Sequence, residues 1–231
     1  MLKWTSNFSL ILFDFDGLLV NTEKIHYMAY LETLKILGFN LSWDFQKYIS
    51  VAHIKAEGIE EEVYKDFPEL KRREPEWKNI YKLKRETHLK ILREIEVEWM
   101  PGALELLEGL VTKGVKSVVV THSDATQIEI IKSKLKKLSL ITHWITRGDY
   151  SSPKPSPECY EVAIERYAQG PVIGFEDSPR GLTALMGTKA TPVLVTNELY
   201  PEIDSFKQLG AIHIPSLKNV FDESFLVDYV R

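Results

Sequence analysis

The sequence has 231 residues and almost no cysteine, since Cys159 is the single one. One cysteine excludes an internal disulfide framework and suits a reducing compartment. Long apolar runs are also missing, because none approaches the roughly 20 residues that a membrane-spanning helix needs. The N-terminal run Ser9 to Phe13 is interrupted by Asp14 before the apolar region of a secretory signal can form. We therefore predict a cytoplasmic protein with no membrane partner.

An excess of basic residues is absent as well. Lysine and arginine number 29 against 33 aspartate and glutamate residues, which gives a net charge of -4. This balance provides no general attraction to nucleic acid, so we predict no nucleic-acid partner. Hydrophobic residues make up 44% of the chain and aromatic residues 11%. That is enough to bury the core of one large domain or two modest ones.

Short apolar runs recur along the chain, and helical patterns separate most of them. Each run is typical of a strand that is buried on both faces of a sheet. The predicted strands are Leu10 to Phe13, Ser117 to Val120, His143 to Ile145, Pro171 to Phe175, Pro192 to Val195 and Ala211 to Ile214. Alternating strands and helices indicate an α/β fold, a doubly wound parallel sheet with helices on both faces.

This alternation is interrupted between residues 22 and 95, which contain no convincing strand. Apolar residues recur there every three or four positions, and this spacing predicts helices. They cover Ile25 to Leu37, Trp43 to Tyr48, about Ala52 to Lys65, and Glu76 to Arg93. In the last helix, a stripe from Trp77 to Ile91 is expected to form core. Pro101, and later Ser178 with Pro179, are well placed to start helices of the α/β part. We expect a core of residues 1–21 and 96–231 and an inserted, all-helical domain of residues 22–95.

The first predicted strand ends in the stretch ILFDFDGLLVNTE, which carries Asp14 and Asp16 out of an apolar run. Residues two apart in an extended chain point to the same side, so these carboxylates are expected to lie close together. Two close carboxylates do not both ionise cheaply, so one keeps a proton or a cation lies between them. Gly17 then permits a sharp turn. The pair is an acid/base and nucleophile set, a metal site, or only a helix cap or surface turn.

Three further strand ends carry polar side chains. In VVVTHSD, Thr121 is suited to binding an anion beside a helix N-terminus, although a plain strand end followed by a Ser123 cap is the simpler interpretation. In SSPKPSPE, Lys154 lies between two prolines and either neutralises a phosphate or is solvated. In VIGFEDSPRG, Glu176 and Asp177 follow another strand, and both metal ligation and helix capping explain Asp177.

These four stretches, in this order and each at a predicted carboxyl end, together resemble the haloacid dehalogenase superfamily of phosphotransferases. The resemblance covers residues 8–22 and about 98–200. The position of the insertion is similar to the branch with a helical cap, which includes phosphoglycolate phosphatase-like and β-phosphoglucomutase-like enzymes. The resemblance implies a Rossmann-like core, a Mg²⁺ cofactor and a small phosphate monoester as substrate. We expect a phosphatase that is a monomer.

The resemblance also implies roles for the acidic residues. Asp14 is expected to attack phosphorus and form an aspartyl-phosphate. Asp16 is expected to give a proton to the leaving oxygen and then to activate water. The Mg²⁺ ion is expected at the side chains of Asp14 and Asp177 and at the main-chain carbonyl of Asp16, with Glu176 in its surroundings.

Substrate binding is assigned by the same resemblance. Thr121, Lys154 and main-chain N–H groups, among them those of Phe15, Asp16 and His122, are expected to hold the phosphoryl oxygens. The His122 side chain replaces the Asn or other small polar residue more common in such families, and it is either a substrate contact or a tolerated variation. The pattern of His26, Ala29 and Tyr30 is similar to a stretch of β-phosphoglucomutase-like proteins, so His26 is either a substrate contact or a solvated residue at a helix start.

Two other functions remain open at this point. Phosphoryl transfer within a sugar phosphate, as in β-phosphoglucomutase, needs a cap that excludes water. No residues that would recognise a hexose are identifiable between positions 39 and 62, which weakens this alternative. A phospho-accepting switch or a non-catalytic binding protein also uses carboxylates, a hydroxyl and a lysine, but receiver-like domains are short and have no helical insertion. The lifetime of the phosphorylated species distinguishes a switch from an enzyme.

Overall fold

The computed structural model describes residues 2–55 and 57–226. The chain forms two compact units. One, called the α/β unit, combines Met1–Asn21 with Glu98–Arg231, and the other, called the helical unit, is Thr22–Val97. The sequence-based division placed the second joint after residue 95. The assignment of catalysis to one unit and of substrate selection to the other stays a prediction.

A six-stranded sheet organises the α/β unit, and every neighbouring pair of strands is parallel. The strands are β1 (Leu10–Phe13), β2 (Ser117–Val120), β3 (His143–Ile145), β4 (Val172–Glu176), β5 (Thr191–Val195) and β6 (Ile212–Ile214). The predicted α/β class and parallel sheet are confirmed, and the predicted bounds of β4, β5 and β6 were wrong by one residue at one or both ends. Buried parallel strands read as short apolar runs, which is why the sequence identifies them.

The strand order, β3-β2-β1-β4-β5-β6, places the first strand in the middle of the sheet. All four residues of β1 are fully buried. The strand order reverses between β1 and β4, because β2 and β3 are added on one side of β1 and β4, β5 and β6 on the other. In open parallel sheets, ligands bind beyond the carboxyl ends of the strands at such a reversal. A functional site is therefore expected at the residues that follow β1 and β4.

Helices follow most strands of this unit. They are α6 (Ala103–Thr112), α7 (Ala125–Lys134), α8 (Glu158–Tyr167), α9 (Pro179–Met186) and α10 (Ile203–Gln208). The start of α9 agrees with the prediction, because Ser178 caps the helix by accepting from the Gly181 N–H and Pro179 is its first residue. The prediction that a helix starts at Pro101 was wrong, since α6 begins at Ala103.

The chain leaves and re-enters the α/β unit at neighbouring points. The Asn21 N–H donates to the Glu98 carbonyl at 2.9 Å, and the Met100 N–H donates to the Leu19 carbonyl at 2.9 Å. These hydrogen bonds join the segment before the helical unit to the segment after it. Both ends of the insertion are therefore fixed by the α/β unit.

The helical unit contains no strand among its described residues. Its helices are α1 (Glu23–Ile36), α2 (Phe45–Ala52), α3 (Gly58–Asp66), α4 (Pro68–Arg73) and α5 (Trp77–Glu94). The prediction of helices throughout is confirmed, but that of one helix from about Ala52 to Lys65 was wrong, and Ala56 of that span lies outside the described residues. A Cβ atom on Gly58 would lie 2.6 Å from the Val51 carbonyl oxygen, so α3 starts in a close approach to the end of α2. Helix α4 was not predicted.

Helices α1 and α5 supply much of the core of the helical unit. Along α5 the buried residues are Ile80, Lys84, Thr87, His88 and Leu92. The stripe predicted to form core has six members: Trp77, Ile80, Tyr81, Lys84, His88 and Ile91. Ile80, Lys84 and His88 are buried as predicted, Trp77 and Ile91 are partly buried, and Tyr81 is 45% exposed. No helix in the described part of the chain has both the length and the apolar character that a bilayer crossing requires.

Candidate active site

Three carboxylates meet where β1 and β4 end. Asp14 directly follows β1, and its N–H donates to the Phe175 carbonyl at 3.0 Å, which fixes the two strand ends side by side. Glu176 is the last residue of β4, and Asp177 follows it. One carboxylate oxygen from each of Asp14, Glu176 and Asp177 lies within 4.8 Å of the others. The structure thus brings together the acidic residues that the sequence analysis had selected from two strands far apart in the chain.

Lys154 lies against this acidic cluster. Its Nζ atom donates to Asp14 Oδ1 at 2.5 Å, to Glu176 Oε1 at 2.7 Å and to the Val120 carbonyl at 3.3 Å. Lys154 is only 5% exposed, so the predicted solvated alternative does not apply. Burial by itself would lower the pKa of Lys154, but the charges of Asp14 and Glu176 outweigh it and raise that pKa well above its usual value. The lysine is therefore a fixed positive charge.

The acidic cluster has more negative than positive charge. Three carboxylates face one ammonium group, and burial raises the pKa of Asp14 to about 8 even though Lys154 acts in the opposite direction. A positive charge brought to the cluster would favour the ionised form of Asp14. The donor atoms are carboxylate oxygens, which are the ligands that Mg²⁺ prefers in proteins. The residues present therefore fit a divalent cation of this type.

Two residues that the sequence analysis missed hold Glu176 in place. The Tyr160 hydroxyl, which is fully buried on α8, donates to Glu176 Oε1. A Cβ atom on Gly181 would lie 2.1 Å from Glu176 Oε2, so only glycine leaves room for this carboxylate. The stretch SPRG contains the glycine, but nothing in the sequence connects it to Glu176. In the sequence, Tyr160, Ala163, Ile164 and Tyr167 have the spacing of an apolar helical pattern. The burial of Tyr160 agrees with this pattern, but the spacing does not predict the contact of its hydroxyl.

Asp16 has different partners from Asp14. Its Oδ1 atom accepts from Gln127 Nε2 at 2.9 Å, and its Oδ2 atom lies in hydrogen-bonding contact with the hydroxyls of Ser123 and Thr121. The Asp16 side chain thus contacts the start of α7, while Asp14 contacts Lys154. The suggestion that Ser123 caps α7 was wrong, because Asp124 is the cap and Ser123 binds Asp16 instead. Ser123 and Gln127 were not predicted as site residues.

A tight turn follows Asp14 and Asp16. Gly17 has a φ angle of 81°, in the left-handed region that favours glycine. Its N–H donates to the Val20 carbonyl at 2.9 Å, and the Val20 N–H donates to the Phe15 carbonyl at 3.1 Å. The sharp turn predicted at Gly17 is therefore present.

Thr121 and His122 follow β2. The Thr121 Oγ1 atom accepts from the Ser123 N–H at 2.9 Å, and the role of Thr121 in holding phosphoryl oxygens stays a prediction. His122 Nε2 accepts from the Lys154 main-chain N–H at 2.9 Å. Burial, together with the charges of Lys154 and two arginines, lowers the pKa of His122 to about 2, so its ring is neutral. Because Nε2 is occupied, the predicted substrate contact would fall to Nδ1.

His26 belongs to the helical unit, on α1. Its Nδ1 atom lies 2.7 Å from the Nζ atom of Lys84, and its ring stacks on that of His88 with centroids 4.0 Å apart. Lys84 is 4% exposed, and its ammonium lies over the rings of Tyr30 and Tyr81 at 4.9 and 5.9 Å from their centroids. His26 is therefore packed against a buried lysine, a contact that the sequence did not indicate.

The chain belongs to the family of haloacid dehalogenase-like hydrolases, which matches residues 11–192. The resemblance drawn from the four motif stretches is thus confirmed. Protein CbbY of Rhodobacter capsulatus is 26% identical to this chain over 85% of this chain and 88% of that protein. The (DL)-glycerol-3-phosphatase 2 of Arabidopsis thaliana is 26% identical over 84% of this chain and 80% of that protein.

Similarity to solved structures supports the fold. The crystal structure of β-phosphoglucomutase from Clostridium difficile matches this chain with a TM-score of 0.71 and 20% identity, over 96% of each chain. At that identity the likeness concerns the fold alone. Because the match covers 96% of each chain, it includes both the α/β unit and the helical unit.

Proposed function

We propose that this protein is a Mg²⁺-dependent phosphatase that hydrolyses a small phosphorylated metabolite, with a sugar phosphate as the expected type. The observation that carries the proposal is the cluster of Asp14, Glu176, Asp177 and Lys154 at the carboxyl end of the sheet, in which Asp14, Glu176 and Lys154 are buried and Asp177 is partly exposed. Membership of a hydrolase family and similarity to a protein named glycerol-3-phosphatase support it.

The cation would be held by the side chains of Asp14 and Asp177 and the main-chain carbonyl of Asp16, with Glu176 beside them. When bound, Mg²⁺ supplies positive charge that favours the ionised form of Asp14 and offsets the charge of a phosphoryl group. The excess of carboxylates over ammonium groups in the cluster is the feature of this chain that fits such an ion.

The reaction then proceeds in two displacements at phosphorus. A carboxylate oxygen of Asp14 attacks phosphorus, the bond between phosphorus and the ester oxygen breaks, and Asp16 gives its proton to the departing oxygen. Water next attacks the phosphorus of the aspartyl-phosphate and loses a proton to Asp16, which restores Asp14 and releases phosphate. One water is consumed, and one alcohol and one phosphate are formed.

The contacts of Asp16 suit both of its protonation states. Gln127 Nε2 donates to Oδ1, so this oxygen stays an acceptor. The hydroxyls of Ser123 and Thr121 at Oδ2 are able to donate or to accept, so a proton on Oδ2 finds an acceptor and an ionised Oδ2 finds a donor. Asp16 is thus placed to gain and lose a proton at Oδ2 without leaving a buried polar atom unsatisfied.

Lys154 would stabilise the charge that builds up on the transferring oxygens. Its ammonium is fixed by Asp14 and Glu176, so it needs little reorganisation as the reaction proceeds. Thr121 would add a hydroxyl donor, because it lies next to Asp16 at the end of β2.

The proposal is tested by measuring phosphate release from sugar phosphates, nucleotides, phosphoglycolate and polyol phosphates, with and without Mg²⁺. We expect release that requires Mg²⁺ and falls at least about a thousandfold in Asp14→Asn, because the variant keeps the shape of the residue but lacks the nucleophile. Asp204→Asn is the matched control, since that carboxylate is 89% exposed. Turnover by Asp14→Asn at the wild-type rate, with an unchanged melting temperature, would reject the proposal.

A second candidate function is phosphoryl transfer within a sugar phosphate, of the kind performed by β-phosphoglucomutase. It is supported by the resemblance of the stretch around His26 to β-phosphoglucomutase-like proteins and by the fold that this chain shares with a β-phosphoglucomutase. Incubation with β-glucose 1-phosphate and a trace of the bisphosphate distinguishes the two functions. Formation of glucose 6-phosphate favours transfer, whereas release of free phosphate favours the phosphatase.

The remaining predictions concern the lifetime of the phosphorylated protein, its oligomeric state and its location. A phosphorylated protein that persists for minutes would favour a phospho-accepting switch over either enzyme, and rapid loss of the phosphoryl group is expected. The monomeric state and the cytoplasmic location are kept as predictions, to be checked by light scattering and by cell fractionation.

A further inference from the structure

The loop that carries Lys154 is tied to the end of β2 by a side chain. The main-chain N–H of Lys154 donates to His122 Nε2 at 2.9 Å. The same lysine places its Nζ atom between Asp14 and Glu176. One residue is thus fixed at both ends, at its main chain by an imidazole and at its side chain by two carboxylates.

The main-chain carbonyls of the residues before and after His122 also accept hydrogen bonds from this loop. The Tyr150 hydroxyl donates to the Thr121 carbonyl at 3.1 Å, and the Arg147 N–H donates to the Ser123 carbonyl at 3.3 Å. Each residue from 121 to 123 therefore accepts one hydrogen bond from the segment between β3 and α8. Of the three acceptors only His122 uses its side chain, so only this bond depends on the residue type at its position.

We propose that His122 is a positioning residue, whose Nε2 acceptor holds the main chain at Lys154 so that the ammonium reaches the nucleophile Asp14. This inference rests on the proposed phosphatase function for its effect on turnover, but the contact itself does not depend on it. It gives His122 a role that is distinct from the substrate contact and from the tolerated variation considered for it.

The surroundings of His122 keep its Nε2 atom an acceptor. The positive charges of Lys154, Arg180 and Arg147 and the burial of the ring all favour the neutral imidazole, while Asp16 acts weakly in the opposite direction. In the neutral ring with Nε2 as acceptor, the proton lies on Nδ1. The centroid of the Tyr150 ring lies 5.8 Å from that of the His122 ring, so the two rings are neighbours.

The test compares His122→Gln, which keeps an acceptor at a similar distance from the main chain, with His122→Leu, which removes it at similar volume. His143→Leu, on β3, is the control for loss of an imidazole elsewhere. Hydrogen exchange at the Lys154 amide is measured in protein without substrate. We expect exchange at least about tenfold faster in His122→Leu and close to wild type in His122→Gln and His143→Leu.

Turnover is measured on the same variants with the best substrate of the panel. We expect kcat to fall about 10- to 100-fold in His122→Leu with little change in KM, because a displaced Lys154 weakens stabilisation of the transition state more than binding. His122→Gln should recover most of kcat. A KM effect without a kcat effect would instead identify His122 as a substrate contact and overturn the positioning role.

The exchange measurement separates this inference from the proposed function. Wild-type exchange at Lys154 in His122→Leu overturns the inference whether or not the protein is a phosphatase. Faster exchange supports the holding of the loop even if no substrate of the panel is hydrolysed. If His122→Leu does not fold, His122→Asn replaces it, because the shorter side chain places its oxygen too far from the Lys154 N–H.

Discussion

Among the residues that the structure describes, each unit of the protein buries one lysine, and the contacts of the two lysines differ. Lys154 of the α/β unit contacts the carboxylates of Asp14 and Glu176. Lys84 of the helical unit contacts the ring nitrogen of His26 and lies over tyrosine rings. Carboxylates bind a buried cation more strongly than ring faces do. Similar burial, 5% and 4%, therefore brings a lysine against carboxylates in one unit and against a ring nitrogen and aromatic faces in the other.

The largest expected difference comes from removing each ammonium in turn. Lys154→Met leaves two buried carboxylates without their cation, so we expect the free energy of unfolding to fall by about 3 kcal/mol in metal-free protein. We also expect kcat to fall about a thousandfold. Lys84→Met removes the cation–π contacts with Tyr30 and Tyr81, each worth up to about 2 kcal/mol when desolvated, and we expect it to lower kcat less than Lys154→Met does. Urea unfolding and phosphate release measure both effects, and equal losses in the two variants would contradict the comparison.

A smaller effect is expected from adding one methyl group beside the ion cluster. In Gly181→Ala the new Cβ would meet Glu176 Oε2 at 2.1 Å, so the carboxylate must move, which disturbs its contact with Lys154. We expect about 2 kcal/mol of lost stability and about a tenfold loss of kcat. Gly148→Ala is the control, because nothing lies within 4 Å of a Cβ atom there. Wild-type activity in Gly181→Ala would show that the position of Glu176 does not matter for catalysis.

The smallest effect is expected from one hydroxyl. Tyr160→Phe removes a single hydrogen bond to Glu176, and we expect about 1 kcal/mol of lost stability and about a fivefold loss of kcat. Tyr81→Phe in the helical unit, where the side chain is partly exposed, should change neither quantity. Thermal unfolding with steady-state kinetics measures this. A loss as large as that of Lys154→Met would mean that the hydroxyl does more than hold Glu176.

The sheet and the strand-end residues were predictable for a physical reason. Strands buried on both faces must be short apolar runs, so the polar residues after Phe13 and Val120 stand out as strand ends. Parallel strands present their carboxyl ends at one edge, so Asp14 and Asp177 were expected at the same edge of the sheet. That they are neighbours follows from the pairing of β1 with β4, which only the resemblance implied.

The supporting contacts were not predictable, because they join residues that the chain separates widely. Gln127 lies 111 residues from Asp16, and Lys84 lies 58 residues from His26. Apolar periodicity reports which side of a helix is buried, but it does not report which polar atom faces which. Tyr160 was therefore identified as a buried residue and missed as the partner of Glu176. The division between α2 and α3 was missed for a similar reason, since it depends on a close approach at Gly58.

The hydrogen bonds from Asn21 to Glu98 and from Met100 to Leu19 determine whether the helical unit can be exchanged for another insertion. Because they hold the two cut points about one strand spacing apart, roughly 5 Å, a short hairpin turn is long enough to bridge them. The number of residues between positions 22 and 97 therefore does not affect the geometry of the sheet. We expect that helical insertions of other lengths, taken from related hydrolases, can replace residues 22–97 without unfolding the α/β unit.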